Sequence, residues 1–113
     1  MSYEVNGKVL EATESGFLVS QEDWDKDVAA AIAAAEGLAL TQDHWDVIDY
    51  LREAYFEHNG EQPNNRAILK AMQEKWPGRP VDNKTLFDLF PGNPSKQAGK
   101  IAGLPESMRK GGY

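Results

Sequence analysis

The chain has 113 residues, no cysteine and a formal net charge of −6, enough length for one packed core and too little for two. With 41% hydrophobic and 27% charged residues it reads as a globular chain rather than a disordered one, and no window approaches the roughly 18 apolar residues of a spanning helix. Without cysteine it can hold no disulfide, thiolate metal site or persulfide.

The opening YEVNGKVLEATESGFL alternates apolar and polar residues around Asn6-Gly7, the dipeptide best suited to the positive φ angles of a two-residue hairpin turn. A short extended piece at Gly16-Phe17-Leu18 follows. In SQEDWDKDVAAAIAAAEG the period changes: Ser20 is placed as the cap of a first helix, acidic residues fill its first turn, and Gly37 ends it. Val28 and Ile32 are its larger core contacts. A second helix starts at Thr41, with Trp45, Ile48, Leu51 and Tyr55 on one face, and ends at His58-Asn59-Gly60.

After Pro63, Asn64 or Asn65 caps a third helix whose core face is Ile68, Leu69, Met72 and Trp76, and Pro77 ends it. Asp82 opens a short fourth helix with Leu86, Phe87, Leu89 and Phe90 clustered. Ser95 is placed as the cap of a fifth, with Ala98, Ile101 and Ala102 as its apolar face and Gly103-Leu104-Pro105 as its end. Trp24 and Phe56 are read as core residues, with a dimer contact as the other option. The tail after Leu104 carries too little apolar surface to offset its ordering cost, about 1–2 kcal/mol per residue. The expected division is a domain over residues 1–104 and a mobile arm over 105–113.

Charge is unevenly distributed. Residues 1–57 hold 3 Lys/Arg against 13 Asp/Glu, and residues 58–113 hold 9 against 5, which favours oriented docking. His44 and His58 sit in no ligand pattern and are read as surface polar residues, so neither a metal nor another cofactor is expected. No P-loop spacing and no base–nucleophile pair is present, so catalysis is not expected. The second and third helices, joined across Gly60 and Pro63, have the look of a helix-turn-helix. Arg66, Lys70, Lys75, Arg79 and Lys84 would then meet phosphate. A pI near 4.8 weighs against that nucleic-acid reading.

The order of these signals, a glycine-turn hairpin, GLALTQDHWDVIDYLREAYFEHN, AILKAM and then LFDLFPGNPSKQAGKIAGLP, resembles the DsrC/TusE family of sulfur-relay proteins across nearly the whole chain. The resemblance implies a mainly α fold with a small N-terminal β-hairpin (α+β), an orthogonal, winged-helix-like helical bundle with a flexible C-terminal arm. It implies a cytoplasmic setting, and as partners the subunits of a sulfur relay that thiolates transfer RNA or of sulfite reductase, with no membrane involved. In the family a cysteine near the end of the arm carries the sulfur. That position corresponds here to Gly112 or Lys110, and the second cysteine of the DsrC branch to Gly99. The reading is therefore a family member without its sulfur-carrying residue, binding or regulating a partner through Lys96, Lys100, Arg109, Lys110, Gly112 and Tyr113. A nucleic-acid regulator, and a carrier whose cysteine has been replaced, stand as alternatives.

Overall fold

The computed structural model describes residues 1–106. The N-terminal strands β1 (Ser2–Val5) and β2 (Lys8–Glu11) pair antiparallel with Val5 opposite Lys8, so the turn is Asn6-Gly7, with φ of 52° and 81°. Both values lie in the left-handed region that asparagine and glycine tolerate best. Alternation then buries Tyr3, Val5 and Leu10 against the first helix and leaves Glu4 and Val9 outside. Beyond β2 the chain doubles back: Ala12 bridges to Leu18, and Val19 N–H donates to Glu11 O at 3.1 Å.

The first helix, α1 (Lys26–Ala35), starts later than its sequence suggests. Ser20 makes no side-chain cap; a 3-10 turn at Gln21–Asp23 and an extended Trp24 intervene, and Asp25 caps α1 by accepting from Val28 N–H at 2.8 Å. A carboxylate is a strong acceptor for an N-terminal amide, and Trp24 is held elsewhere. At the other end, Gly37 N–H donates to Ala34 O and Leu38 N–H to Ala33 O, a Schellman motif with Gly37 at φ 77°.

Helix α2 (Gln42–Glu57) begins at Thr41 as the sequence indicates. His44, read as a surface residue, is instead buried. Its Nδ1 accepts from Thr41 N–H at 3.0 Å and its Nε2 lies 2.9 Å from Leu89 O. The backbone donor at Thr41 assigns the lone pair to Nδ1 and the proton to Nε2, which donates to Leu89. The ring packs edge-on against Phe90, 5.1 Å between centroids. His58, by contrast, is exposed at the end of α2.

Helix α3 (Asn65–Lys75) is capped by Asn64, which accepts from Ala67 N–H at 2.9 Å. Helix α4 (Asn83–Leu89) is capped by Asp82 and Thr85 acting reciprocally. Its apolar cluster divides: Leu86 and Phe90 are buried, while Phe87 faces outward. Helix α5 (Pro94–Ile101) starts at Asn93, φ 84°, with Pro94 at its first position. Ser95 is not its cap; Ser95 N–H donates to the side chain of Asn65 at 2.8 Å, so α3 satisfies the start of α5.

The small residues of α5 decide the packing. Ala98 and the C-cap Ala102 are buried and let the helix approach α1 and α2 closely, with α3 and α4 also in contact. Ile32, Ile48, Leu51, Ile68, Met72, Leu86, Phe90 and Ile101 fill the space around it. The result is a mainly helical bundle on which the N-terminal hairpin is laid.

Candidate functional site

Helix α5 ends by the same device as α1. Gly103, φ 76°, donates to Lys100 O, and Leu104 N–H donates to Gly99 O. That leaves carbonyls at and just beyond the end of α5 in need of partners, and three side chains distant in sequence supply them. Trp24 Nε1–H donates to Ile101 O at 2.8 Å, Arg52 Nη1–H to Ala102 O at 2.6 Å, and Gln62 Nε2–H to Pro105 O at 2.8 Å. Together they clamp the root from which the C-terminal segment leaves. Leu104 is buried at the same point.

The clamp is built in layers. Arg52 lies over the Trp24 ring, 3.7 Å from guanidinium carbon to centroid, and over Phe56 at 4.8 Å. Phe56, read from sequence as a core residue, is 51% exposed. Gly103 sits so close to Trp24 that a Cβ there would be 2.4 Å from Trp24 Cδ1. The cation at the helix C-terminus also complements the helix dipole, and burial pushes the Arg52 pKa down, against Asp49, which raises it.

The sequence points to Trp24 only as a core residue, where it is in fact partly buried against the core, and gives Arg52 and Gln62 no role. The common property of the three is a side-chain bond to a backbone carbonyl 43 to 77 residues away. The one local signal is the four-residue spacing of Arg52 and Phe56, which sets a cation over an aromatic ring on one helix face.

The residues assigned to partner binding divide. Lys96 is half-buried on α5. Lys100 turns inward: its ammonium pairs with Glu36 at 3.2 Å and lies 5.5 Å from the Phe17 ring centroid. Glu36 also accepts from Gln97 Nε2–H at 3.3 Å, so this part of α5 is fastened to α1. Gly99 is buried, and among the described residues no atom outside its own helix backbone and chain neighbours lies within 4 Å of where its Cβ would stand. Arg109, Lys110, Gly112 and Tyr113 lie outside the described residues.

The residues assigned to phosphate contact are all exposed, and two of the five are paired with carboxylates. Arg79 pairs with Asp43 at 2.9 Å and stacks over Trp76, and Lys84 pairs with Asp88 at 2.9 Å. The cleft between α2 and α3 is lined by Asp46, Asp49, Tyr50 and Glu53 beside Lys75. Burial pushes the Asp46 carboxyl up, but hydrogen bonds from Trp76 and Gln42, with Lys75 and Arg79 nearby, outweigh it and hold the pKa below the ordinary carboxylate value. Tyr50 is raised by burial and then by Glu61 and Glu74.

Comparison with known proteins places this architecture. The family model described as DsrC like protein matches residues 4–109. The sulfurtransferase TusE homolog of Haemophilus influenzae is 41% identical over 105 residues, 93% of this chain and 95% of that protein. Sulfurtransferase TusE of Yersinia pseudotuberculosis is 37% identical over 106 residues, 94% of this chain and 97% of that protein. Among solved structures, DsrC of Allochromatium vinosum matches with a TM-score of 0.84 at 39% identity, covering 96% of this chain and 98% of its own. The oxidized gamma-subunit of the dissimilatory sulfite reductase (DsrC) of Archaeoglobus fulgidus matches with a TM-score of 0.87 at 33% identity and the same coverage. The hairpin and the bundle around α5 are thus those of the DsrC-like family of sulfur-relay proteins, to which this chain belongs.

Proposed function

We propose that this chain binds and regulates a protein partner of sulfur metabolism, a sulfur-relay or sulfite-reductase subunit in the cytoplasm, without carrying sulfur itself. The observation that carries this reading is a clamped arm root on a chain without a thiol: Trp24, Arg52 and Gln62 fix the start of the C-terminal segment, yet the sequence has no cysteine. Accepting and passing sulfane sulfur requires a thiolate nucleophile. A methionine thioether has no ionisable proton and forms no persulfide, so Met1, Met72 and Met108 cannot replace it.

A scaffold that positions an arm with no cargo on it is suited to occupying the surface where a cysteine-bearing relative docks. Arg109 and Lys110 on the arm would steer it toward an acidic partner surface, a contact weakened by salt.

The test is recovery of partners from a native extract with the full chain as bait, beside a version ending at Glu106, with bound proteins identified by mass. Sulfur-relay or sulfite-reductase subunits are expected on the full chain and lost on the shortened one. Recovery of nucleic acid alone would overturn the reading and favour the α2–α3 alternative; equal recovery on both baits would remove the arm from the interface.

A further inference from the structure

Arg52 does more than one hydrogen bond requires. A guanidinium has five N–H donors, and in Arg52 one of them reaches Ala102 O while the group lies over the rings of Trp24 and Phe56. Lys100, likewise partly covered, and the more exposed Arg79 each have a carboxylate in contact. Arg52 has none among the described residues; Asp49, one turn earlier on α2, acts on it only through space. Taking a cation from water without a counter-ion is costly, and the two rings compensate for part of that loss. The bond to Ala102 O and the two ring contacts restrain the guanidinium, and beside its other donors stands the half-exposed ring of Phe56.

We propose that Arg52 and Phe56 form a docking site for an acidic side chain of the protein partner, an Asp or Glu carried next to an apolar or aromatic residue. This rests on the partner-binding function proposed above and names the chemistry of that partner. A planar fork matches a carboxylate by two parallel hydrogen bonds, and Phe56 supplies the apolar contact beside it. Asp49, the carboxylate that acts on Arg52, repels a phosphate dianion more strongly than a carboxylate monoanion. The site adjoins the root of the arm, so the partner that receives the arm also reaches Arg52.

The experiment needs only this chain and small probes. N-acetyl-aspartyl-phenylalanine amide is titrated into the 15N-labelled protein, and the Arg52 Nε–H and Trp24 Nε1–H resonances are followed. Saturable shifts at both are expected, with affinity weaker by about tenfold or more for the asparaginyl analogue, which loses a charge-assisted pair. Arg52→Gln should abolish the shift at Trp24, and Arg52→Lys, which keeps the charge but not the fork, should give an intermediate affinity. Equal binding of the aspartyl and asparaginyl probes, or shifts produced by inorganic phosphate and not by the dipeptide, would overturn the proposal. If either variant fails to keep a dispersed amide spectrum, the comparison of the two probes on the unaltered chain decides. Because no partner is present, failure here leaves the partner-binding function standing, and failure of partner capture leaves this result unaffected.

Discussion

Replacing Gly103 by alanine tests whether Trp24 and the end of α5 are locked together. Gly103 and Gly37 occupy the same place in two Schellman motifs, with φ of 76° and 77°. At Gly37 an added Cβ meets nothing within 4 Å, whereas at Gly103 it would lie 2.4 Å from Trp24 Cδ1 and 2.6 Å from Trp24 Cγ. Gly37→Ala therefore isolates the conformational cost of a left-handed alanine, about 1–2 kcal/mol. Gly103→Ala adds displacement of the indole. That sacrifices the bond from Trp24 to Ile101 O, about 1 kcal/mol net, and the Arg52 stack, about 0.5–2 kcal/mol.

The expected loss at Gly103 is then about 2.5–5 kcal/mol, a large share of the stability of an ordinary domain, about 5–15 kcal/mol. Urea unfolding followed by far-UV circular dichroism measures both variants without relying on the fluorescence of Trp24. The Trp24 Nε1–H resonance reports whether the indole has moved. Equal losses for the two variants, within about 0.5 kcal/mol, together with an unshifted indole resonance, would refute the coupling.

Other expectations follow from the same structure. His44→Ala removes the acceptor for Thr41 N–H and the donor to Leu89 O inside the fold, and should cost about 2–4 kcal/mol in urea unfolding, where a surface histidine would cost almost nothing. Gly99→Ala should stabilise by about 0.5–1 kcal/mol, because a helix-interior glycine gains an alanine without meeting another described side chain; a loss of stability would show that the space is filled. The Asp46 carboxyl titrates lower in the folded chain than in the unfolded one, so its contribution is present above the unfolded pKa and lost as pH falls through the folded value. Asp46→Asn should flatten the stability profile below about pH 4. The Tyr3 phenol is raised by burial and then by Glu36, so its contribution is present below the unfolded pKa and fades as pH rises through the folded one, a fall that Tyr3→Phe should remove from alkaline unfolding curves.

Local rules carried much of the fold. Asn6-Gly7 specifies its turn because both residues tolerate positive φ, and Thr41, Asn64 and Asp82 open helices because each can accept from an early amide or stands where one is needed. Where two acceptors competed, sequence order alone misled: Ser20 lost to Asp25, and the start of α5 was satisfied by Asn65 from another helix rather than by Ser95. Periodicity also misjudged residues that pair across the fold. His44 is buried because its ring joins Thr41 to Leu89, and Phe56 is exposed because it covers Arg52. The family was legible because its motifs run along the chain. The clamp was not, since each of its bonds joins a side chain to a carbonyl that no local pattern connects to it.

The central claim is that this chain occupies a sulfur-relay partner without carrying sulfur, and one competition measures it directly. The partner captured from extract is immobilised, loaded with a cysteine-bearing TusE relative and titrated with this chain, while the mass of the chain is followed in the presence of a sulfane-sulfur donor. The account predicts displacement of the relative, weakened by salt, with no gain of sulfur mass on this chain. Failure to displace the relative, or a stable gain of a sulfur atom on the chain, would contradict it.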